Sequence, residues 1–382
     1  MSNHWPMIRL GEVLRRSEDT IGPAVDVDYR EITVRLWGNG VVERRRVMGA
    51  ELSGRRFIAH EGQFIISRID ARNGAMGFVP PSLEGALVTS DFPLFNLNIA
   101  RLEPAFLGWL CRTERFVELC QRASEGTTNR VRLQEDRFLA VQIALPPLAE
   151  QRQLAAEIDE LNDQVRLARA IQQAEENEIR QMLRAVFARL TAAAPRRPMR
   201  EVAPLVRRPV RVEPDSRYLE IGIRSFGKGT FHKPALSGFD LGNKKIFHIE
   251  PGDLLFTNVF AWEGAIAVAR QEDAGRVGSH RYITCVPKVG VSTSAFLCYY
   301  FLTDKGLEKI GLASPGAAGR NRTLGLASLG AIDVPVPPIE DQLWFDSMQT
   351  EVSKLRDLRA ESAAEVEALV PSVLSRAFDG EL

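Results

Sequence analysis

The chain has 382 residues, as many Lys and Arg as Asp and Glu, and 45% hydrophobic residues, which is room for two domains and the apolar share of an ordinary globular protein. No run approaches the roughly 20 apolar residues of a membrane span, and Met1–Leu14 lacks the apolar run of a secretory signal, so a cytoplasmic protein is expected. Cys111, Cys120, Cys285 and Cys298 form no C-x-x-C pair and the five histidines lack ligand spacing, so the thiols read as reduced core residues and no metal site is expected.

From the N-terminus, Ile32-Thr33-Val34-Arg35-Leu36-Trp37 alternates and stops at Gly38-Asn39-Gly40, the pattern of a strand and its turn. Gln63-Phe64-Ile65-Ile66 follows Glu61-Gly62 and reads as a buried strand. Leu107, Leu110 and Val117 give helical spacing within Ala105–Cys120. After Pro146-Pro147 neither Pro nor Gly occurs until Pro195. In that stretch Leu154, Ile158, Leu161 and Val165, then Ile179, Met182 and Val186, step by fours and threes. This is the period of a coiled-coil seam, polar in the middle at Gln172 and Glu175.

The chain then repeats itself. Tyr29-Arg30-Glu31-Ile32 returns 189 residues later as Tyr218-Leu219-Glu220-Ile221, each strand ending in Gly-x-Gly. Gly62–Gly74 matches Gly252–Gly264, Ser90 matches Ser279, and Leu145-Pro146-Pro147-Leu148-Ala149-Glu150-Gln151 returns as Val336-Pro337-Pro338-Ile339-Glu340-Asp341-Gln342. A second long helix carries Met348, Val352 and Leu355, a polar stretch at Arg359 and Ser362, then Val366, Leu369 and Val373. Both seams are apolar at the ends and polar in the middle, and antiparallel pairing superposes the polar middles. The expected fold is mixed α/β (α+β): two similar globules separated by two long helices that pair as an antiparallel coiled coil, with pseudo-two-fold internal repetition. The expected domains are 1–147 and 195–338 (globules), and 148–194 and 339–382 (helical regions).

Net charges by segment are +1 for 1–148, −2 for 149–194, +7 for 195–338 and −6 for 339–382. The cations of the first globule are all arginine, suited to bidentate contacts. Lys228, Lys233, Lys244 and Lys245 supply much of the positive charge of the second. Forty helical residues make a rod of roughly 60 Å. Two similar heads on such a spacer suit two separated points on duplex DNA.

The chain resembles the specificity subunit of type I restriction–modification systems. The marks are Leu145–Arg152, Val336–Gln342, the ending Leu374-Ser375-Arg376-Ala377-Phe378-Asp379-Gly380-Glu381-Leu382, and Ile66-Ser67-Arg68-Ile69-Asp70-Ala71-Arg72-Asn73-Gly74. The resemblance spans the whole chain and departs at Glu340-Asp341-Gln342, where Ala-Glu-Gln is more usual. It implies target-recognition domains that each read half of a bipartite site, and helices that fix the gap and dock two methyltransferase subunits. It further implies a DNA-binding chain without catalytic activity or cofactor. S-adenosylmethionine, and ATP with magnesium, are then expected in the methyltransferase and the restriction/translocase subunits. A specificity role in another phage-defence system, or a protein scaffold that binds no DNA, is the alternative.

Candidate DNA contacts lie on Gly-rich turns, since base edges are read by a few polar side chains and phosphates by cations. Arg68, Arg72 and Asn73 precede Gly74; Asn258 and Trp262 precede Gly264. Thr127, Thr128, Asn129, Arg130 and Arg132 form a loop of small residues and arginines, matched by Arg320, Asn321 and Arg322. His280 and Arg281 stand opposite Asp91 and Phe92 in the repeat, a cation facing an acid that suits cytosine N4. The sequence has no G-x-x-x-x-G-K-[ST] loop, no G-x-S-x-G elbow and no Asn-Pro-Pro-Tyr, so no catalytic residue is expected.

Overall fold

A computed structural model describes residues 5–126, 131–316 and 322–379. The chain divides into two compact units, Met1–Gln173 with Ala360–Leu382, and Ala174–Arg359. Each unit holds one globule and half of each long helix, Leu148–Ala192 and Ile339–Asp379.

In the first unit a five-stranded sheet runs Thr20–Ile21, Arg56–Ala59, Ala86–Val88, Asp28–Val34, Val41–Met48. A four-stranded sheet runs Leu14–Arg16, Leu94–Leu97, Phe64–Ile66, Met76–Phe78. Phe64, Ile65 and Ile66 are fully buried, as a short uninterrupted apolar run should be when both faces are covered. The second unit repeats both sheets in the same order: Pro209–Val210, Ile246–His248, Val277–Ser279, Arg217–Ile223, Thr230–Ser237, and Leu205–Val206, Tyr282–Cys285, Leu254–Thr257, Ile266–Val268. Short helices share a core with each four-stranded sheet, with Phe106, Phe116 and Phe138 in the first and Phe256, Phe296 and Phe301 in the second.

The double-proline motif owes its form to one side chain. Gln151 is fully buried in the first turn of its helix. Its Nε2 donates to Pro146 O at 2.8 Å and Arg101 O at 2.9 Å, and its Oε1 accepts from Glu103 N at 2.8 Å. Gln342 repeats this, donating to Pro337 O at 2.8 Å and Val291 O at 3.0 Å and accepting from Ser292 Oγ at 2.7 Å. Each buried amide therefore ties its helix to the globule backbone, Gln151 at Arg101 and Glu103 and Gln342 at Val291.

In the first unit Leu154, Ala155 and Ile158 share a core with Val370, Val373, Leu374 and Phe378 of the other long helix; Leu161 and Val366 are half-buried and Val165 buried. In the second unit Ile179, Leu183, Val186 and Phe187 share one with Phe345, Met348 and Val352, and Phe187 meets Phe345 with ring centroids 5.4 Å apart. The partners run in opposite directions along the sequence. The polar middles meet in the second unit, Glu176 on Arg356 at 2.7 Å and Glu175 on Arg359 at 2.9 Å.

Three seam positions are corrected. Met182, Leu355 and Leu369 are exposed. Leu183 and Val370 turn inward instead. From Ile179 the inward steps are four to Leu183 and four to Phe187, which rotates the seam relative to a 3.5-residue repeat and carries Phe187 to Phe296 and Tyr299 of the globule. Leu355 gives way to the Glu–Arg crossing.

The four cysteines are free, and burial pushes the Cys120 and Cys285 thiols up to about 12.

Candidate nucleic-acid interface

The Gly-x-Gly turn builds the candidate loop. Leu36-Trp37-Gly38-Asn39 closes with Asn39 N donating to Leu36 O, and Trp37 and Gly38 both have positive φ, 56° and 63°, the geometry of a type I′ hairpin. Trp37 N and Gly38 N then donate to Asn73 O and Gly74 O at 3.1 and 2.9 Å. A Cβ on Gly74 would come within 3.1 Å of the Trp37 backbone. The second globule repeats this with Phe226 and Gly227, φ 61° and 65°, docked on Glu263 O and Gly264 O. The two predicted motifs, Gly-x-Gly and the Gly74/Gly264 segment, are therefore one structure. Trp37 and Phe226 are exposed, 55% and 75%. Neither was a sequence candidate; their recurrence as aromatics just before Gly-x-Gly was the available signal.

Backbone hydrogen bonds also fix the correspondence of the loops. Arg68 N donates to Asp91 O, and Asn258 N to Arg281 O, both at 2.8 Å. Asp91 N reaches Thr89 Oγ1 as Arg281 N reaches Ser279 Oγ. Arg281 is thus the counterpart of Asp91, and Ser279 that of Thr89, which corrects the sequence pairing of Ser90 with Ser279 by one residue. His280 is exposed beside Arg281, and its N–H donates to Lys245 O.

The same frame carries different side chains. In the first globule Arg68 donates to Leu133 O at 3.2 Å and lies 3.7 Å from Glu135, which also takes Arg16 at 3.0 Å. Arg132 bonds Asp91 at 2.6 Å. Arg72 is half-buried and Asn73 donates to Asp70 at 3.3 Å. Burial pulls the Arg16 guanidinium down, with Glu135 opposing. In the second globule Trp262 donates to Val259 O at 2.9 Å, and Arg322 lies over its ring at 5.3 Å. Arg281 is exposed, and the buried Asn258 Oδ1 accepts no hydrogen bond among the described residues. Thr127, Thr128, Asn129, Arg130, Arg320 and Asn321 lie outside the described residues.

His232, Glu272 and Asp273 bring three potential ligand atoms within 4.8 Å. Asp273 already accepts from His232, Thr230 Oγ1 and Arg270 N. Burial would raise its carboxyl, but these donors prevail and hold it below its usual value.

No family model and no curated protein matches the chain. Solved structures do. A chain from the structural study of complex assembly and conformational transition of the type I R-M system superposes with TM-score 0.71 at 20% identity, covering 100% of this chain and 99% of that one. The HsdS subunit from Thermoanaerobacter tengcongensis superposes with TM-score 0.58 at 20% identity, covering 100% and 98%. The class defined is a duplicated mixed α/β protein with paired long helices. Its fold is that of type I restriction–modification specificity subunits. No helix of the described residues is long and apolar enough to cross a membrane.

Proposed function

We propose that the chain is the DNA-specificity subunit of a type I restriction–modification complex. Each globule reads one half of a bipartite duplex target, and the paired helices set the gap between the halves and dock two methyltransferase subunits. The chain itself does no chemistry and works in the cytoplasm. S-adenosylmethionine, and ATP with magnesium, belong to the methyltransferase and translocase partners.

The observation that carries this reading is one backbone frame with two sets of polar side chains: Arg68 N on Asp91 O, and Asn258 N on Arg281 O. A duplicated enzyme would keep its reacting groups in both copies. A duplicated reader of two sequences keeps the scaffold and changes what it presents. The charge of the second globule and the arginines of the first supply phosphate contacts.

The test is duplex binding by the full chain at rising salt. A reader held by several phosphates loses affinity in proportion to a power of salt concentration and enriches a split sequence from a randomised duplex pool. Salt-independent binding, or none, favours the protein scaffold. Methyl transfer or cleavage by the purified chain alone refutes the non-catalytic role.

A further inference from the structure

The second globule has a surface cavity of about 460 Å³, within the range of ligand pockets. It lies at the candidate loop. Asn258, Phe260, Lys233, Lys244 and Arg281 line it. Asn258 is clamped by its backbone, N to Arg281 O at 2.8 Å and O from Leu324 N at 2.7 Å, so its side chain is presented from a fixed point. Its Oδ1 is buried and accepts no hydrogen bond among the described residues, and a buried acceptor left this way favours a donor brought by a ligand. The rim is cationic. Lys233 is tied to Glu220 at 3.9 Å, whereas Lys244 and Arg281 are exposed. Phe260 adds an exposed aromatic edge. In the first globule the matching positions are spent internally, Arg132 on Asp91 and Arg68 on Leu133 O and Glu135.

We propose that this cavity is the base-reading site of the second globule and takes a base that presents an amino group in the major groove, adenine or cytosine, whose N–H satisfies Asn258 Oδ1. Lys244 and Arg281 hold the flanking phosphates. In the first globule Arg68 stands where Asn258 does and is bound to Leu133 O and Glu135, and Asp91 stands where Arg281 does and is bound to Arg132. This inference rests on the DNA-reading function proposed above and adds which chemistry one head reads.

The experiment removes one amino group at a time. The bipartite target is taken from a randomised-duplex selection with the full chain. Purine then replaces each adenine and 2-pyrimidinone each cytosine, which deletes the amino group and leaves the rest of the base. The wild-type chain should lose about 5- to 150-fold in affinity at one position of one half-site, the range of a good side-chain–base contact. Whether purine or 2-pyrimidinone causes the loss identifies the base. Asn258→Leu should abolish the penalty, and Asn258→Asp, which keeps an acceptor, should retain it; Asn258→Ala replaces the leucine variant if that one does not fold. Equal penalties in the wild-type and Asn258→Leu chains overturn the inference while leaving DNA reading intact. A wild-type chain that enriches no sequence refutes DNA reading itself, and this inference with it.

Discussion

Arg356 grips Glu176 with two parallel hydrogen bonds, Nη2 to Oε1 at 2.7 Å and Nε to Oε2 at 3.1 Å, across 180 residues of sequence. Arg359 meets Glu175 one turn away. These pairs occupy the middle of a seam that is apolar on either side. They make one alignment of the two helices better than its neighbours, because sliding either helix leaves like charges or unpaired charges facing each other.

The Arg356 hydrogen bond, and then its charge, hold the Glu176 carboxyl below its usual value. A depressed carboxyl stabilises the fold above its unfolded pKa, and that contribution fades as pH falls through the folded value. Arg356→Ala should cost less than about 1 kcal/mol, as an exposed pair does, and the cost should vanish in acid. A double-mutant cycle with Glu176→Ala at neutral and acid pH measures this; coupling that survives full protonation contradicts it.

His60 sits between Asp19, 2.8 Å from Nε2, and Glu84, 2.7 Å from Nδ1. Only the imidazolium donates from both nitrogens. The Asp19 bond, then the Glu84 bond, raise its pKa. A raised histidine stabilises the fold fully below its unfolded pKa and loses that contribution as pH rises through the folded value. His60→Gln should therefore lower the melting temperature in mild acid and leave it unchanged in alkali. An NMR titration with the imidazole at or below its ordinary pKa contradicts this.

Gln151 and Gln342 should be costly to replace. Gln151→Leu strands the carbonyls of Arg101 and Pro146 and the N–H of Glu103, and each lost partner costs about 1–3 kcal/mol. The loss should appear as faster amide exchange where the helix meets the first globule, and Gln342→Leu should show it in the second. Exchange unchanged by either substitution contradicts the joining role.

Leu183 and Met182 separate structure from sequence expectation. Leu183→Ala should cost about 2–5 kcal/mol, as a buried leucine does, and Met182→Ala less than about 0.5 kcal/mol. Chemical denaturation of the two variants decides, and the reverse order restores the seam read from spacing alone.

The duplication, the two long helices and their polar middles were legible because similar motifs at a near-constant offset and long stretches nearly free of Pro and Gly carry them. The seam phase after Ile179 was not, because Phe187 is recruited by Phe296 and Tyr299 of the globule, which helix periodicity cannot reveal. The slip at Ser90 came from a matching serine outweighing the offset already set by Gly62 and Gly252. The Arg132–Asp91 pair joins residues 41 apart, a contact made only by the fold. Asn258 was visible as a polar residue before Gly264, but burial of its oxygen without a partner among the described residues arises only in the fold.

The central claim is that two reading heads are spaced by the helices. Matched seven-residue deletions in Leu148–Ala192 and Ile339–Asp379 shorten the rod by about 10 Å at 1.5 Å per residue. Duplex selection with the deleted and intact chains should return the same two half-sites with a gap shorter by at most about three base pairs at 3.4 Å each. Altered half-sites, or an unchanged gap, would contradict the claim.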